Sequence, residues 1–384
     1  MKWILKIVAI AGVCLAPAVA SAGSDKLLEF LVEGKTHQGK VEALGKNDCW
    51  LLGRDGRMIR LRLNNVKSFR RVELKFRPYP AAEMRDRLQR EFGKEYEVAG
   101  SGRYLVCAPR GRAKQYAEIF DDIYRTFRVN FGARGFQLSK PEFPLVAIVL
   151  RDRKSFHTYQ KADGVPIRGQ LLGYYHPVSN RVALFEPRAV ATSKSRTAWQ
   201  SPIAAESLPT GFDAFGSIQA GLEDTIIHEA THQVAFNTGL HTRIGPTPRW
   251  VVEGLATVFE ADGVRHRNTV GVGSAKSRIN RGRFIGFQNY AAKRRNAKSL
   301  ESFIAADKVS GLSALDFYSQ SWALSFFLME TRSRQYAGFL KQIAARDPLK
   351  PYTAAERVAD FKTAFGNDLN WLETGFLRYF DQLK

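Results

Sequence analysis

His228-Glu229-Ala230-Thr231-His232, with Trp250-Val251-Val252-Glu253-Gly254 a short way on, concentrates the metal-binding side chains of this sequence. On a helix, positions i and i+4 share one face, so His228 and His232 reach toward one small ion. Each offers a neutral imidazole nitrogen, a good zinc ligand. Glu229 is placed to take a proton from water held by that ion. A catalytic zinc site needs a third protein ligand and an open position. Glu253 lies 21 residues after His232, in a second helical pattern, and completes a His2Glu set. An extended H-E-x-x-H-x-x-G-x-x-H ligand set is disfavoured, because its third histidine falls on Thr238 and its glycine on Ala235. His241 is a rival third ligand, but it lies beyond the expected helix end.

The spacing predicts a metal-bearing helix over 217–238, stopped by Gly239 and striped by Leu222, Ile226, Ala230 and Val234. Thr247-Pro248 reads as an N-cap followed by proline at the first helical position, starting a helix that runs through Glu253 to about Ala261. The chain turns back between the two, so they face each other across the ion.

Outward from this centre, residues 24–74 read as a small β unit, with period-two alternation at 40–44 and 58–63 and an Asp55-Gly56 hairpin signal. An SH3-like barrel or meander is expected, with a weak similarity to SLA1-homology-type modules around 50–57. Helices are expected over 81–92 and 113–131, and strands over 96–108, 145–150, 173–175 and 181–185. Residues 192–210 read as a long polar loop, and the C-terminal part as helices. Four units are expected: a signal peptide at 1–22, the β module at 23–74, an α+β catalytic domain at 75–311 and a helical subdomain at 312–384.

Lys2 and Lys6, the apolar run from Ile7 to Val19 and Ala20-Ser21-Ala22 form a signal-peptide pattern. A secreted or periplasmic location is therefore expected, with no membrane span after cleavage. Cys49 and Cys107 then remain and are a candidate disulfide, with two buried thiols as the competing reading. The formal net charge is +21. Ten lysines and arginines and no acid fall between Arg265 and Lys298, a candidate patch for acidic cell-envelope polymers or simply a solvated face. Aromatic interleaving there is thin (Phe284, Phe287, Tyr290). That, with the export signal, argues against nucleic acid.

The two motifs resemble the gluzincin, thermolysin-like zinc metallopeptidases, and more closely the DUF1570 or peptidase MA-like group with its H-E-x-x-H-Q and W-x-x-E-G-x-A pattern. The resemblance implies a zincin-like α+β fold and one zinc ion. It also implies peptide-bond hydrolysis by a zinc-held water with Glu229 as general base. Peptides or proteins are then the substrates. It implies a sheet edge that pairs with extended substrate, for which Arg181–Phe185 is the candidate, and a tyrosine near the site, for which Tyr318 is the candidate oxyanion donor and His241 the alternative. Thermolysin-like sequences place an aspartate four residues after the ligand glutamate. Thr257 stands there instead, so Asp224 and Glu260 are the candidates to orient the imidazoles. Two other functions are weighed: a non-catalytic envelope or polyanion-binding protein with a zincin fold, and a zinc hydrolase of non-peptide amides.

Overall fold

Chain order already separates two sheets. The computed structural model describes residues 26–167, 171–186, 220–265, 274–306 and 312–383. The signal peptide expected at 1–22 and the loop expected at 192–210 lie outside the described residues. The first sheet is built from β1 (Lys26–Val32), β2 (Lys35–Leu44), β3 (Asp48–Leu52), β4 (Met58–Arg62) and β5 (Val66–Lys75), in the order β4-β3-β2-β1-β5. Every pairing in it is antiparallel. A 3-10 turn at Leu63–Asn65 links β4 to β5, which returns to pair with β1.

The second sheet follows α1 (Ala81–Phe92). Its strands are β6 (Tyr96–Ser101), β7 (Tyr104–Pro109), β8 (Leu145–Leu150), β9 (Gly173–His176) and β10 (Arg181–Phe185), in the order β6-β7-β8-β10-β9. β8 pairs in parallel with β7 and β10, while β6 and β9 run antiparallel at the edges. All six β8 side chains are buried. A strand covered on both faces has to read as a continuous apolar run. Leu145, Ala147 and Val149 face one core with α2 (Ala113–Ala133), and Val146, Ile148 and Leu150 face a second with α1 and α3 (Arg153–Ala162). Each of the leucine, valine and isoleucine side chains contributes about 2 kcal/mol by leaving water.

This order corrects one expectation. β10 is interior, hydrogen-bonded on both sides and wholly buried, so Arg181–Phe185 is not the free edge. The edge strand is β9, whose four residues are half polar and less buried.

α4 (Ala220–Asn237) lies against β9 and β10 on the α2 side. Gly239, at φ +86°, ends it, and Leu240 N–H bonds Ala235 O at 3.1 Å, a left-handed cap that few residues besides glycine adopt. α5 (Arg249–Phe259) follows. Its cap is Pro248 itself, with no side-chain bond, and the Thr247 hydroxyl is buried without a partner. The expected Thr247 cap is thus not formed.

The rest is helical: α6 (Asp262–Arg265), α7 (Arg281–Lys293), α8 (Ser299–Ala305), α9 (Ala314–Thr331), α10 (Ser333–Ala344), α11 (Ala354–Phe365) and α12 (Leu369–Gln382). One buried cluster joins α2, α4, α5, α9 and α12, with Trp250 and Trp322 among its largest members. α9 lies inside it, with Phe317, Trp322 and Phe326 all buried. No helix among the described residues is long and apolar enough to cross a membrane.

α5 crosses α9 at Gly254. A Cβ there would stand 2.5 Å from the Ser321 carbonyl oxygen and would clash with Ser325. Gly254→Ala is therefore expected to destabilise the protein by about 1–3 kcal/mol through overpacking. Urea denaturation checks this, and an unchanged midpoint would show that the crossing has slack.

Of the two readings of the cysteines, the structure has the buried thiols. Cys49, on β3, is buried with Phe30, Leu51 and Leu61, whereas Cys107, on β7, is buried in a different core with Met84 and Leu88. Both are free thiols. Burial pushes them up to about 11 and about 12 respectively.

Among the described residues, at least five of the basic side chains between 265 and 298 face carboxylates: Arg265 at Asp262 and Glu223, Arg278 at Glu330, Arg283 at Glu260, Arg294 at Asp316 and Arg295 at Glu373. Arg267 lies outside the described residues. Much of the segment's charge is thus neutralised by acids from elsewhere in the chain.

Candidate metal centre

α4 and α5 bring three Lewis bases to one point. His228 Nε2 and His232 Nε2 are 3.0 Å apart. Glu253 Oε2 stands 3.3 Å from the first and 3.5 Å from the second. His232 and Glu253 are nine-tenths buried, and His228 is half-buried. Donor atoms 2.0–2.1 Å from a tetrahedral ion are about 3.3 Å apart, so this triangle fits a single divalent metal ion. The donor chemistry agrees: Glu253 Oε2, which both imidazole Nε2 atoms face, is buried and makes no hydrogen bond of good geometry. Two imidazole nitrogens and one carboxylate oxygen converging this closely form a donor set that one shared cation would satisfy.

Glu260 orients the first ligand. Its Oε1 is 2.7 Å from His228 Nδ1, which fixes a proton on Nδ1 and aims the Nε2 lone pair at the site. Asn280 Nδ2 donates to Glu260 Oε2 at 2.8 Å, and Arg283 lies 3.8 Å away. Burial alone raises the Glu260 carboxyl, but His228 and Arg283 outweigh it and hold it below the usual range. Thr257, in place of the aspartate, bonds its own helix, donating to Glu253 O at 2.7 Å. Asp224 is exposed and has no hydrogen bond to His228 among the described residues. Of the two orienting candidates, only Glu260 reaches the imidazole.

Glu229 points to the sheet edge. Its Oε2 accepts the Tyr175 N–H of β9 at 2.6 Å. Tyr318, half-buried on α9, has its ring centroid 6.4 Å from that of His228. Burial, then Glu253, push its phenol up to about 12, so it keeps its proton at neutral pH. His241 is buried, and burial and then His232 push it down to about 3, so it is neutral.

Two contributors have weak sequence signals. Arg249, four residues before Glu253, places Nε 3.7 Å from Glu253 Oε1, a pair its i, i+4 spacing could have suggested. The Tyr175 amide is backbone and has no side-chain signature.

Burial lowers the His228 imidazolium, but hydrogen bonds to Glu253 and Glu260 outweigh it and hold its pKa well above the usual 6.5. A metal ion entering the site must displace that proton. Divalent metal uptake at pH 7 is therefore expected to release about one proton, with affinity rising up to tenfold per pH unit until His228 is neutral. Titration calorimetry in buffers of different ionisation enthalpy measures the release, and pH-independent affinity would contradict it.

No curated protein matches the chain. Over residues 223–350, about a third of its length and including His228, His232, Glu253, Glu260 and Tyr318, the chain is similar to the family described as "Protein of unknown function (DUF1570)".

Proposed function

We propose that this chain is a zinc-dependent metallopeptidase that works outside the cytoplasm, built on a zincin-like domain with an SH3-like module before it. The observation that carries the reading is Glu229. Its carboxylate sits one residue from a ligand histidine and is anchored through Oε2 to the edge strand, which leaves Oε1 for proton transfer. A purely structural metal site needs no such base and is usually closed by a fourth protein ligand.

His228, His232 and Glu253 would hold the zinc, which would supply Lewis acidity and a water whose pKa falls to about 7. The side chains divide the remaining work. Glu229 takes the proton of the attacking water and returns it to the leaving amine. Tyr318, still protonated at neutral pH, donates to the oxyanion that forms from the scissile carbonyl. β9 has no strand partner on its outer side among the described residues, and its backbone groups other than the Tyr175 N–H are the candidates for pairing with an extended peptide. The first sheet's strand order, with a 3-10 turn before its last strand, supports the SH3-like assignment. The N-terminal sequence pattern supports secretion or a periplasmic location. Segment 265–298, half neutralised, is a lesser candidate for binding acidic envelope polymers.

The test is elemental analysis of the purified protein together with mass-spectrometric detection of cleavage in a mixture of unstructured peptides, with and without chelator. Stoichiometric zinc and chelator-sensitive cleavage are expected. Zinc without cleavage of any peptide would overturn the peptidase, and protein that takes up no zinc would overturn the metal site.

A further inference from the structure

The loop between α4 and α5 carries a half-buried arginine whose hydrogen bonds all go to backbone. Arg243 Nε donates to Pro177 O at 2.8 Å, and Nη2 donates to Gly56 O at 2.6 Å and Val178 O at 3.2 Å. No carboxylate pairs with it among the described residues. Pro177 and Val178 form the turn from β9 to β10, and Gly56 lies in the β3–β4 turn of the first sheet. The same junction holds a fourth bond, Met58 N–H to Val178 O at 2.7 Å. Beside Arg243, Ile244 is buried with Leu27, Leu52, Met58 and Phe76 of the first unit and Phe143 of the second. One guanidinium thus ties three segments together.

That turn controls the strand that holds Glu229. Tyr175, two residues before Pro177, donates its N–H to Glu229 Oε2. Its hydroxyl donates to Asn180 Oδ1 at 2.9 Å, and Asn180 exchanges amide bonds with Asn237 at the end of α4. Gln233, one turn before Asn237, donates to Asn180 O at 2.9 Å. Asn180 itself is left-handed, at φ +59°. The β9–β10 turn is therefore held from α4 on one side and from Arg243 and the first sheet on the other.

We infer that Arg243 is a positioning residue for Glu229, and that the N-terminal β unit is a brace for the catalytic site rather than an independent binding module. This rests on the reading of Glu229 as general base. The charge of Arg243 is not what matters, since no carboxylate forms an ion pair with it among the described residues. Its planar fork of donors matters, because it spans carbonyls of two units at once. Without it, β9 keeps its pairing to β10, but the turn loses the guanidinium bridge and is left with the single Met58 N–H bond to Val178 O as its hydrogen-bonded tie to the first sheet. Glu229 then loses a fixed anchor, and a displacement of about 1 Å at a catalytic group can lower rate about 100-fold.

The experiment compares wild type, Arg243→Ala and Arg243→Lys, all loaded with zinc. Hydrogen-exchange mass spectrometry is read on the peptide covering β9, and kcat and KM on a cleaved peptide. In folded Arg243→Ala, exchange in β9 is expected to accelerate tenfold or more. kcat should fall about 10–100-fold with KM and zinc stoichiometry unchanged. Arg243→Lys keeps charge and stem but not the fork, and should fall between. It also supplies the answer if the alanine variant does not fold. Unchanged β9 exchange in a folded variant overturns the inference. So does a loss of rate that follows only the folded fraction. If wild type cleaves nothing, the peptidase reading fails, and the exchange data still decide whether Arg243 braces β9.

Discussion

Glu229→Gln is expected to lower kcat for peptide cleavage by about 10²–10⁴-fold, the usual contribution of a general base, while zinc content stays at the wild-type level. The substitution separates geometry from proton transfer. Glutamine has the same shape, and its carbonyl oxygen still accepts the Tyr175 N–H that now reaches Oε2 at 2.6 Å. The three ligand atoms are untouched, because Glu229 is not among them. Only the ability to hold a proton is lost. Elemental analysis, thermal melting and steady-state kinetics on one preparation check the three expectations together. A variant within threefold of wild-type kcat would remove Glu229 from the mechanism. A variant that loses zinc would mean that Glu229 supports the site structurally.

The metal ligands should show the other large effect, with a graded series. Glu253→Ala removes the only carboxylate of the triangle and leaves His228 and His232 facing each other at 3.0 Å. Zinc affinity should then fall by more than the roughly 10–100-fold expected when an outer hydrogen-bond partner is removed. Glu260→Gln is that milder case. It keeps the volume but removes the charge that fixes His228 Nδ1 at 2.7 Å. A decrease of about 10–100-fold is expected for it. Competition with a chromogenic chelator ranks wild type, Glu260→Gln and Glu253→Ala in that order. Equal affinities for wild type and Glu253→Ala would exclude Glu253 as a ligand.

The parts legible in the sequence were those set by local periodicity. The i, i+4 histidines, the glutamate on a second helix and the unbroken apolar run of β8 each sit within one element, and structure follows spacing there. Expectations that needed pairing between distant segments fared differently. β9 and β10 read equally well as strands, and only the sheet order shows that the wholly buried one is interior. Cys49 and Cys107 look like a pair by count, yet each belongs to a separate core. The basic segment looks free along the chain, because Glu330 and Glu373, which face Arg278 and Arg295, come from far downstream. Glu260 was one of two equal candidates until the turn of α5 placed it against His228. The amide of Tyr175 had no signal at all, since a backbone donor is the same at every residue.

The contact at Gly254 has a consequence for transplanting this site. Glu253 is on α5 and Tyr318 on α9, and the helices meet where Gly254 faces the Ser321 carbonyl and Ser325. With no side chain between them, the ligand and the phenol have little freedom to move separately. A scaffold given only the five-residue histidine motif and a glutamate would inherit the donors without their spacing. The smallest portable block carries α4, α5 and the first half of α9 together, with a glycine or nothing larger at the crossing.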